Sequence, residues 1–114
     1  MAIHYNLSKV YAISDDDNDF VLQIVQLFVT ELPADLNLIK EGINVKNHAQ
    51  TYVYSHKIKP TLDLLGMENA YDEILQIEQW TKNLGKKKEI KEIFKSLESR
   101  VNDASNEIKK DFNL

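Results

Sequence analysis

The stretch IKEIFKSLESRVNDASNEIKKDF, residues 90–112, decides the fold class of this chain. Its apolar side chains recur at steps of three and four, which is the spacing of one face of an α-helix. They are Ile90, Ile93, Phe94, Leu97, Val101, Ala104, Ile108 and Phe112. Because a helix with such a stripe must bury it against other elements, the stretch predicts a long amphipathic helix within a helical domain.

The same periodicity runs through most of the preceding sequence. Four further helices are predicted, at residues 7–13, 18–44, 46–65 and 68–84. Gly66 and Gly85 end the last two of them. Four long helices with short connections predict antiparallel neighbours, hence an all-α, up-down-up-down four-helix bundle with a short additional N-terminal helix. The length of 114 residues fits one domain, residues 1–114, with one hydrophobic core.

The second helix has its own start signal and core stripe. Ser14 and the acidic residues 15–17 predict its start, because hydroxyl and carboxylate groups stabilise the positive end of a helix. Pro33 inside it predicts a kink. The predicted core stripe consists of Phe20, Ile24, Leu27, Phe28, Leu32, Leu36, Ile39 and Ile43.

Composition and charge exclude several classes of function. The chain has no cysteine, so disulfides and thiolate metal sites are excluded. It has no run of about 18 apolar residues that could span a membrane, and residues 1–7 lack the regions of a signal peptide. We therefore expect a cytoplasmic protein. A net charge of −4 without a basic stripe argues against a nucleic-acid partner.

The third helix carries a histidine on the side that faces away from its core stripe. That stripe consists of Thr51, Tyr54, Ser55, Ile58, Leu62 and Leu65. His56 points outward, and Lys59 is its neighbour one turn later, while Lys57 points to a flank. The outward face around His56 is apolar, which usually marks an interaction site. Its residues are Ala49, Tyr52, Val53 and Pro60, extended by Leu64 and Gly66. A different interpretation is that another helix or a second copy of the chain covers this patch.

The fourth helix carries a carboxylate on its inward face. That face consists of Met67, Ala70, Tyr71, Ile74, Ile77 and Thr81, with Glu78 in its middle. A buried carboxylate needs a partner, and His56 can supply one if it lies at the edge of the groove between the two helices. The alternative is that Glu78 extends to water.

The segment SHKIKPTLDLLG, residues 55–66, resembles the signature of histidine-containing phosphotransfer (HPt) domains. Ile58, Lys59, Leu65 and Gly66 match that pattern, whereas Pro60 stands where glycine is usual. The resemblance implies that His56 carries a phosphoryl group. It also implies that Glu78 matches a position whose side chain bonds the histidine, which would leave Nε2 free as the nucleophile.

The resemblance further implies partners and a mechanism. The partners would be receiver domains of response regulators or hybrid sensor histidine kinases, which would also bring the acidic pocket and Mg²⁺. The chain itself would need no cofactor, would have no autonomous kinase activity and would not bind ATP. Lys59 would offset the phosphoryl charge. The competing hypothesis is a non-catalytic helical interaction module. A metal site is disfavoured, because the histidines lack an i, i+4 pairing and Asp15, Asp17 and Asp19 lack the rest of a calcium loop.

Overall fold

The computed structural model describes residues 4–114, and within this range the chain forms five α-helices and no strand. The helices are α1 (Ser8–Ser14), α2 (Asn18–Asn44), α3 (His48–Leu64), α4 (Glu68–Lys82) and α5 (Lys87–Asp111). The predicted all-α class is confirmed, and the predicted bounds of the first four helices agree within two residues, while α5 begins three residues before the predicted stretch 90–112. Residues 1–3, which belong to the predicted domain and to the segment searched for a signal peptide, lie outside the described residues.

The start of α2 at Asn18 and its acidic N-terminal cap confirm the prediction. Asp17 caps it, and its carboxylate accepts hydrogen bonds from the backbone N–H groups of Asp19 and Phe20 at 3.0 and 3.2 Å. Of the predicted start signal, only Ser14 does not belong to this helix start, because it is the last residue of α1. The two residues after Ser14 have left-handed φ angles of 55° and 62°, so the chain turns there before α2 begins.

The four long helices pack in a closed order. α2 packs against α3 and α5, and α4 also packs against α3 and α5, while α1 packs against α2. The body measures 43 × 23 × 20 Å, and all five helices contribute side chains to one buried cluster. α3 therefore lies between α2 and α4, a position that decides which side chains can reach its lysines and its histidine.

The core face of α2 differs from the prediction in its first two turns. Val21 and Val25 are buried there, whereas Phe20 and Leu27 are exposed. The stripe that begins at Val21 continues without offset into Phe28 and the rest of the helix, while Phe20 and Leu27 lie one position, or about 100°, to the side. Of the rest of the predicted stripe, Ile24 is half-buried at the margin of the core, and the others are buried as expected, at Phe28, Leu32, Leu36, Ile39 and Ile43.

The predicted core faces of the other long helices are largely confirmed. Tyr54, Tyr71, Ile93 and Phe112 are half-buried at the margins, and the other predicted core residues of α3, α4 and α5 are buried. Trp80, which the sequence did not single out, is also buried in the core. Within residues 4–114 no helix combines the length and the apolar character that crossing a membrane would require.

The turn after α3 is built around Gly66. Its φ is 64°, a left-handed conformation that glycine adopts without strain. A Cβ atom at this position would lie 2.8 Å from the Cβ of Asn6, so the N-terminal segment also requires a glycine here. Pro60 lies inside α3, which continues beyond it to Leu64.

Candidate functional site

His56 lies in the middle of α3 and points into solvent. Its side chain is 61% exposed, while Ser55 and Ile58 on the opposite face of the helix are buried. The register of α3 is fixed at its start by Asn47, whose side chain accepts a hydrogen bond from the Gln50 N–H at 3.0 Å. The structure confirms the predicted outward orientation of His56.

One edge of the imidazole contacts a buried carboxylate from α4. Nδ1 of His56 lies 3.2 Å from Oε2 of Glu78, whose side chain is only 7% exposed. A carboxylate only accepts hydrogen bonds, so Nδ1 carries the hydrogen and the lone pair of the neutral ring is on Nε2. The alternative that Glu78 extends to water does not hold, since the residue is buried and bonded.

Lys59 completes this cluster by binding the second oxygen of the same carboxylate. Its Nζ lies 2.9 Å from Oε1 of Glu78, and its side chain is only 25% exposed. Lys59 is therefore paired with Glu78 across the helix interface and is not a solvated surface charge. A sequence could not reveal this, because a lysine one turn from His56 can turn either toward solvent or toward the neighbouring helix.

The ionisation of the cluster follows from these contacts. Burial tends to raise the pKa of Glu78, but hydrogen bonds from Lys59 and from His56 outweigh it and hold that pKa below its ordinary value. The hydrogen bond to Glu78 raises the pKa of Lys59, against a smaller opposing effect of desolvation. Glu78 is therefore an anion and Lys59 a cation around neutral pH.

Lys57 belongs to a different contact. Its Nζ lies 3.0 Å from Oδ1 of Asp35, a buried carboxylate of α2, and its own side chain is 52% exposed. The hydrogen bond to Asp35 raises the pKa of Lys57. The structure thus brings His56, Lys59 and Glu78 together and directs Lys57 to the other side of α3. Asp35 could not be recognised from the sequence, because its contact with Lys57 depends on the rotation of α2 relative to α3.

An aromatic ring covers one face of the imidazole. The rings of Tyr52 and His56 are nearly parallel, with an angle of 14° and a centroid distance of 5.7 Å. Tyr52 is half-buried, and the ammonium of Lys82 on α4 lies 5.9 Å from the centre of its ring. Lys82 is not among the site residues predicted from the sequence. Its position in the last turn of α4 is the signal that could have indicated it.

The predicted docking patch is only partly a continuous surface. Ala49, Val53 and Pro60 are exposed beside His56, so α1 does not cover them. Leu64 is half-buried and lines a groove of about 200 Å³ between α2 and α3. Gly66 is ten residues beyond His56, which corresponds to about 15 Å along the helix axis, so it does not belong to the site.

The other two described histidines have different surroundings. Nε2 of His48 lies 3.0 Å from the carbonyl oxygen of Gly85, and its ring is 4.6 Å from that of Trp80. His4 lies beside acidic side chains of α5. Within residues 4–114, no three or more His, Cys, Asp or Glu side chains are grouped so that they could hold a metal ion.

No protein-family model, curated protein or solved structure matches the chain. The likeness to HPt domains therefore consists of the motif at residues 55–66 and the predicted helix arrangement. What the site can do must be inferred from its own chemistry.

Proposed function

We propose that this chain is a histidine phosphotransfer protein that accepts a phosphoryl group on His56 from an aspartyl phosphate and passes it to another receiver domain. One observation carries the proposal. An exposed imidazole donates its Nδ1–H to a buried carboxylate, and that carboxylate is already paired with a lysine. This arrangement leaves the Nε2 lone pair directed away from the protein, toward a partner.

The chemistry at Nε2 balances without a further reactant. The Nε2 lone pair attacks phosphorus, an N–P bond forms, and the P–O bond to the aspartate of the donor breaks, releasing a carboxylate. The ring becomes positively charged while Nδ1 keeps its hydrogen. Glu78, at 3.2 Å, stabilises that developing charge, and the reverse sequence of steps returns the phosphoryl group to an aspartate.

Lys59 has two functions in this scheme. In the free protein it neutralises Glu78, so the carboxylate does not need a protonated imidazole as its counter-ion. It also lies one helical turn beyond His56, where its ammonium can contact phosphoryl oxygens during transfer. Lys57, which is paired with Asp35, supports the helix packing and does not take part in the reaction.

The partner would supply what the chain lacks. We infer that receiver domains of response regulators or hybrid sensor histidine kinases bring the acidic pocket and Mg²⁺, and that the exchange takes place in the cytoplasm. Ala49, Val53 and Pro60 would contact the receiver around His56. Because the complex must dissociate after each transfer, its interface should be at the small end of the range for protein complexes.

The proposal extends to the arrangement of the helices. We infer that α2 to α5 form an up-down-up-down four-helix bundle, with α1 as a short addition. The closed packing order supports this topology, as do the connections of three or four residues at 45–47, 65–67 and 83–86. Such a bundle would hold α3 and α4 side by side, as the His56–Glu78 contact requires.

The direct test is transfer of label from a phosphorylated receiver. The protein is incubated with a panel of receiver domains that carry radiolabelled aspartyl phosphate, and the labelled protein is then treated with acid and with base. We expect an acid-labile, base-stable label that the variant His56→Gln does not acquire. His4→Gln and His48→Gln are the matched controls and should be labelled like the parent.

Label that persists on His56→Gln would overturn the assignment of the acceptor. Binding of a receiver domain without any transfer of label would instead favour a non-catalytic interaction module. A melting curve of each variant excludes loss of folding as the cause, since His56 is exposed and its replacement should leave the core intact.

A further inference from the structure

We propose that Tyr52 is a positioning residue that holds the His56 imidazole, by stacking, in the orientation that presents Nε2 to the phosphoryl donor. The inference deepens the proposed function and rests on it for its reaction. Tyr52 was predicted from the sequence to contact a partner, as an aromatic anchor in an apolar patch. Its half-buried position and its parallel contact with the imidazole point to a role within the chain itself.

Two contacts of different direction constrain the imidazole. Glu78 accepts a hydrogen bond at the Nδ1 edge of the ring, whereas the ring of Tyr52 lies nearly parallel to the imidazole with its centre 5.7 Å away. Tyr52 precedes His56 by four residues, so both side chains lie on the same side of α3 at neighbouring turns. The hydrogen bond selects which ring edge faces α4, and the stack limits the tilt and rotation of the ring.

An exposed imidazole needs such a constraint. Exposed side chains change rotamer within picoseconds to nanoseconds, and His56 is largely surrounded by solvent. A half-turn of the ring about the Cβ–Cγ bond would put Cδ2 in the place of Nδ1, so the hydrogen bond to Glu78 would be lost, and it would move Nε2 to the place of Cε1. Because transfer needs the attacking nitrogen in line with phosphorus, time spent in the turned orientation is unproductive.

Tyr52 itself lies close to a side chain of α4. The Lys82 ammonium lies 5.9 Å from the centre of the tyrosine ring, at the outer limit of a cation–π contact. Glu78 and Lys82 are both on α4, so this helix supplies both the hydrogen-bond acceptor of His56 and the cation beside Tyr52. The orientation of His56 is thus defined relative to one neighbouring helix.

The test compares Tyr52→Phe, which keeps an aromatic ring, with Tyr52→Leu, which removes it. Phe20→Leu is the matched control, since it also replaces an aromatic ring by leucine and Phe20 is an exposed residue of α2. Nitrogen NMR of the imidazole gives the His56 tautomer. Phosphoramidate, a small phosphoryl donor that needs no docking surface, gives the labelling rate and the ratio of Nε2 to Nδ1 phosphohistidine.

The parent, Tyr52→Phe and Phe20→Leu should keep the hydrogen on Nδ1 and carry phosphorus on Nε2. Tyr52→Leu should show mixed tautomers, some Nδ1 phosphohistidine and a labelling rate lower by about fivefold, the scale of one aromatic pair. A merely structural role for Tyr52 would not change which nitrogen is phosphorylated. If Tyr52→Leu does not fold, Tyr52→Ala takes its place, because alanine suits a helix surface.

The proposal is overturned if the non-aromatic variant keeps the tautomer and nitrogen preference of the parent, or if Tyr52→Phe is as defective as Tyr52→Leu. Absence of label from every protein, including the parent, would overturn the proposed function instead. The tautomer comparison would still decide whether Tyr52 orients the ring, so the two failures are distinguishable.

Discussion

Two buried carboxylates flank α3, and they differ in a single partner. Glu78 on α4 is bound by Lys59 at 2.9 Å, and Asp35 on α2 is bound by Lys57 at 3.0 Å. In each case a lysine of α3 reaches to a neighbouring helix and neutralises an acidic group in the helix interface. Only Glu78 has a further contact, with the imidazole of His56.

Under the proposed function, the difference would separate a structural ion pair from a reactive cluster. The Asp35–Lys57 pair needs only to keep a buried charge compensated, which is the usual condition for burying one. The Glu78 carboxylate is also compensated by a lysine, but its second oxygen accepts a hydrogen bond from the imidazole that we propose as the nucleophile. The proposed reactive site would thus be an ion pair between helices with one hydrogen bond added at its solvent side.

The largest expected effect comes from replacing each carboxylate in turn. Glu78→Leu should lower the rate of phosphoryl transfer by about tenfold or more, because the imidazole loses the acceptor that orients it. Asp35→Leu should leave that rate close to that of the parent. Transfer from a phosphorylated receiver, measured at equal receiver concentration, checks both. Equal rates for the two variants would show that the Glu78 and Asp35 carboxylates do not differ in function.

Replacing each lysine should sharpen the comparison. Lys59→Met and Lys57→Met both leave a buried carboxylate without its cation, so each should lower the melting temperature by a few degrees. Only in Lys59→Met is an imidazole available to replace the missing cation by taking up a proton. That variant should therefore need a higher pH for transfer, because the lone pair on Nε2 is lost when the ring is protonated.

The measurement is a pH profile of phosphoryl transfer, with a melting curve for each protein. Lys57→Met is the matched control and should keep the pH profile of the parent. A Lys59→Met profile that coincides with the parent would mean that Lys59 does not influence the protonation of the imidazole.

The pH dependence of stability should also distinguish the two sites. The pKa of Glu78 lies below its ordinary value of 4.5, so its stabilising contribution is fully present above pH 4.5 and is lost as the pH falls through the folded-state pKa. Urea unfolding in that acid range should show a steeper loss of stability for the parent than for Glu78→Leu. Asp35→Leu should retain the contribution of Glu78. If Asp35→Leu reduces the loss of stability at acid pH as much as Glu78→Leu does, Glu78 is not the source of that loss.

The smallest effect is expected at the surface around the cluster. Val53→Glu should weaken the binding of a receiver domain severalfold without changing the melting temperature, because Val53 is 57% exposed and close to His56 in sequence. Ile13→Glu is the control, since Ile13 is 62% exposed but lies on α1. Calorimetric affinities that fall equally for both variants would contradict a docking role for the face around His56.

Much of the fold could be predicted from the sequence, and the error in α2 has a physical cause. A hydrophobic stripe can be drawn through Phe20 and Leu27 or through Val21 and Val25, and the larger side chains suggest the first. The structure buries the valines, because only their row continues into the core face that begins at Phe28. Periodicity within one helix cannot decide between two adjacent rows when neighbouring helices determine which row faces inward.

The candidate site was predictable to a similar extent. The outward position of His56 and the inward position of Glu78 both follow from helical spacing, and their contact follows if α3 and α4 are adjacent. The ion pair of Lys59 with Glu78 could not be predicted, since a flexible lysine stem can reach several groups. The stack of Tyr52 on His56 depends on side-chain rotamers, which sequence spacing does not determine.

The surroundings of Trp80 have an optical consequence. It is the only tryptophan of the chain, its indole N–H donates to the carbonyl oxygen of Lys86 at 2.9 Å, and its ring lies 4.6 Å from that of His48. Unfolding would break these contacts and expose the buried indole, so the emission of the unmodified protein should follow the loss of the junction of α3, α4 and α5 without any attached dye.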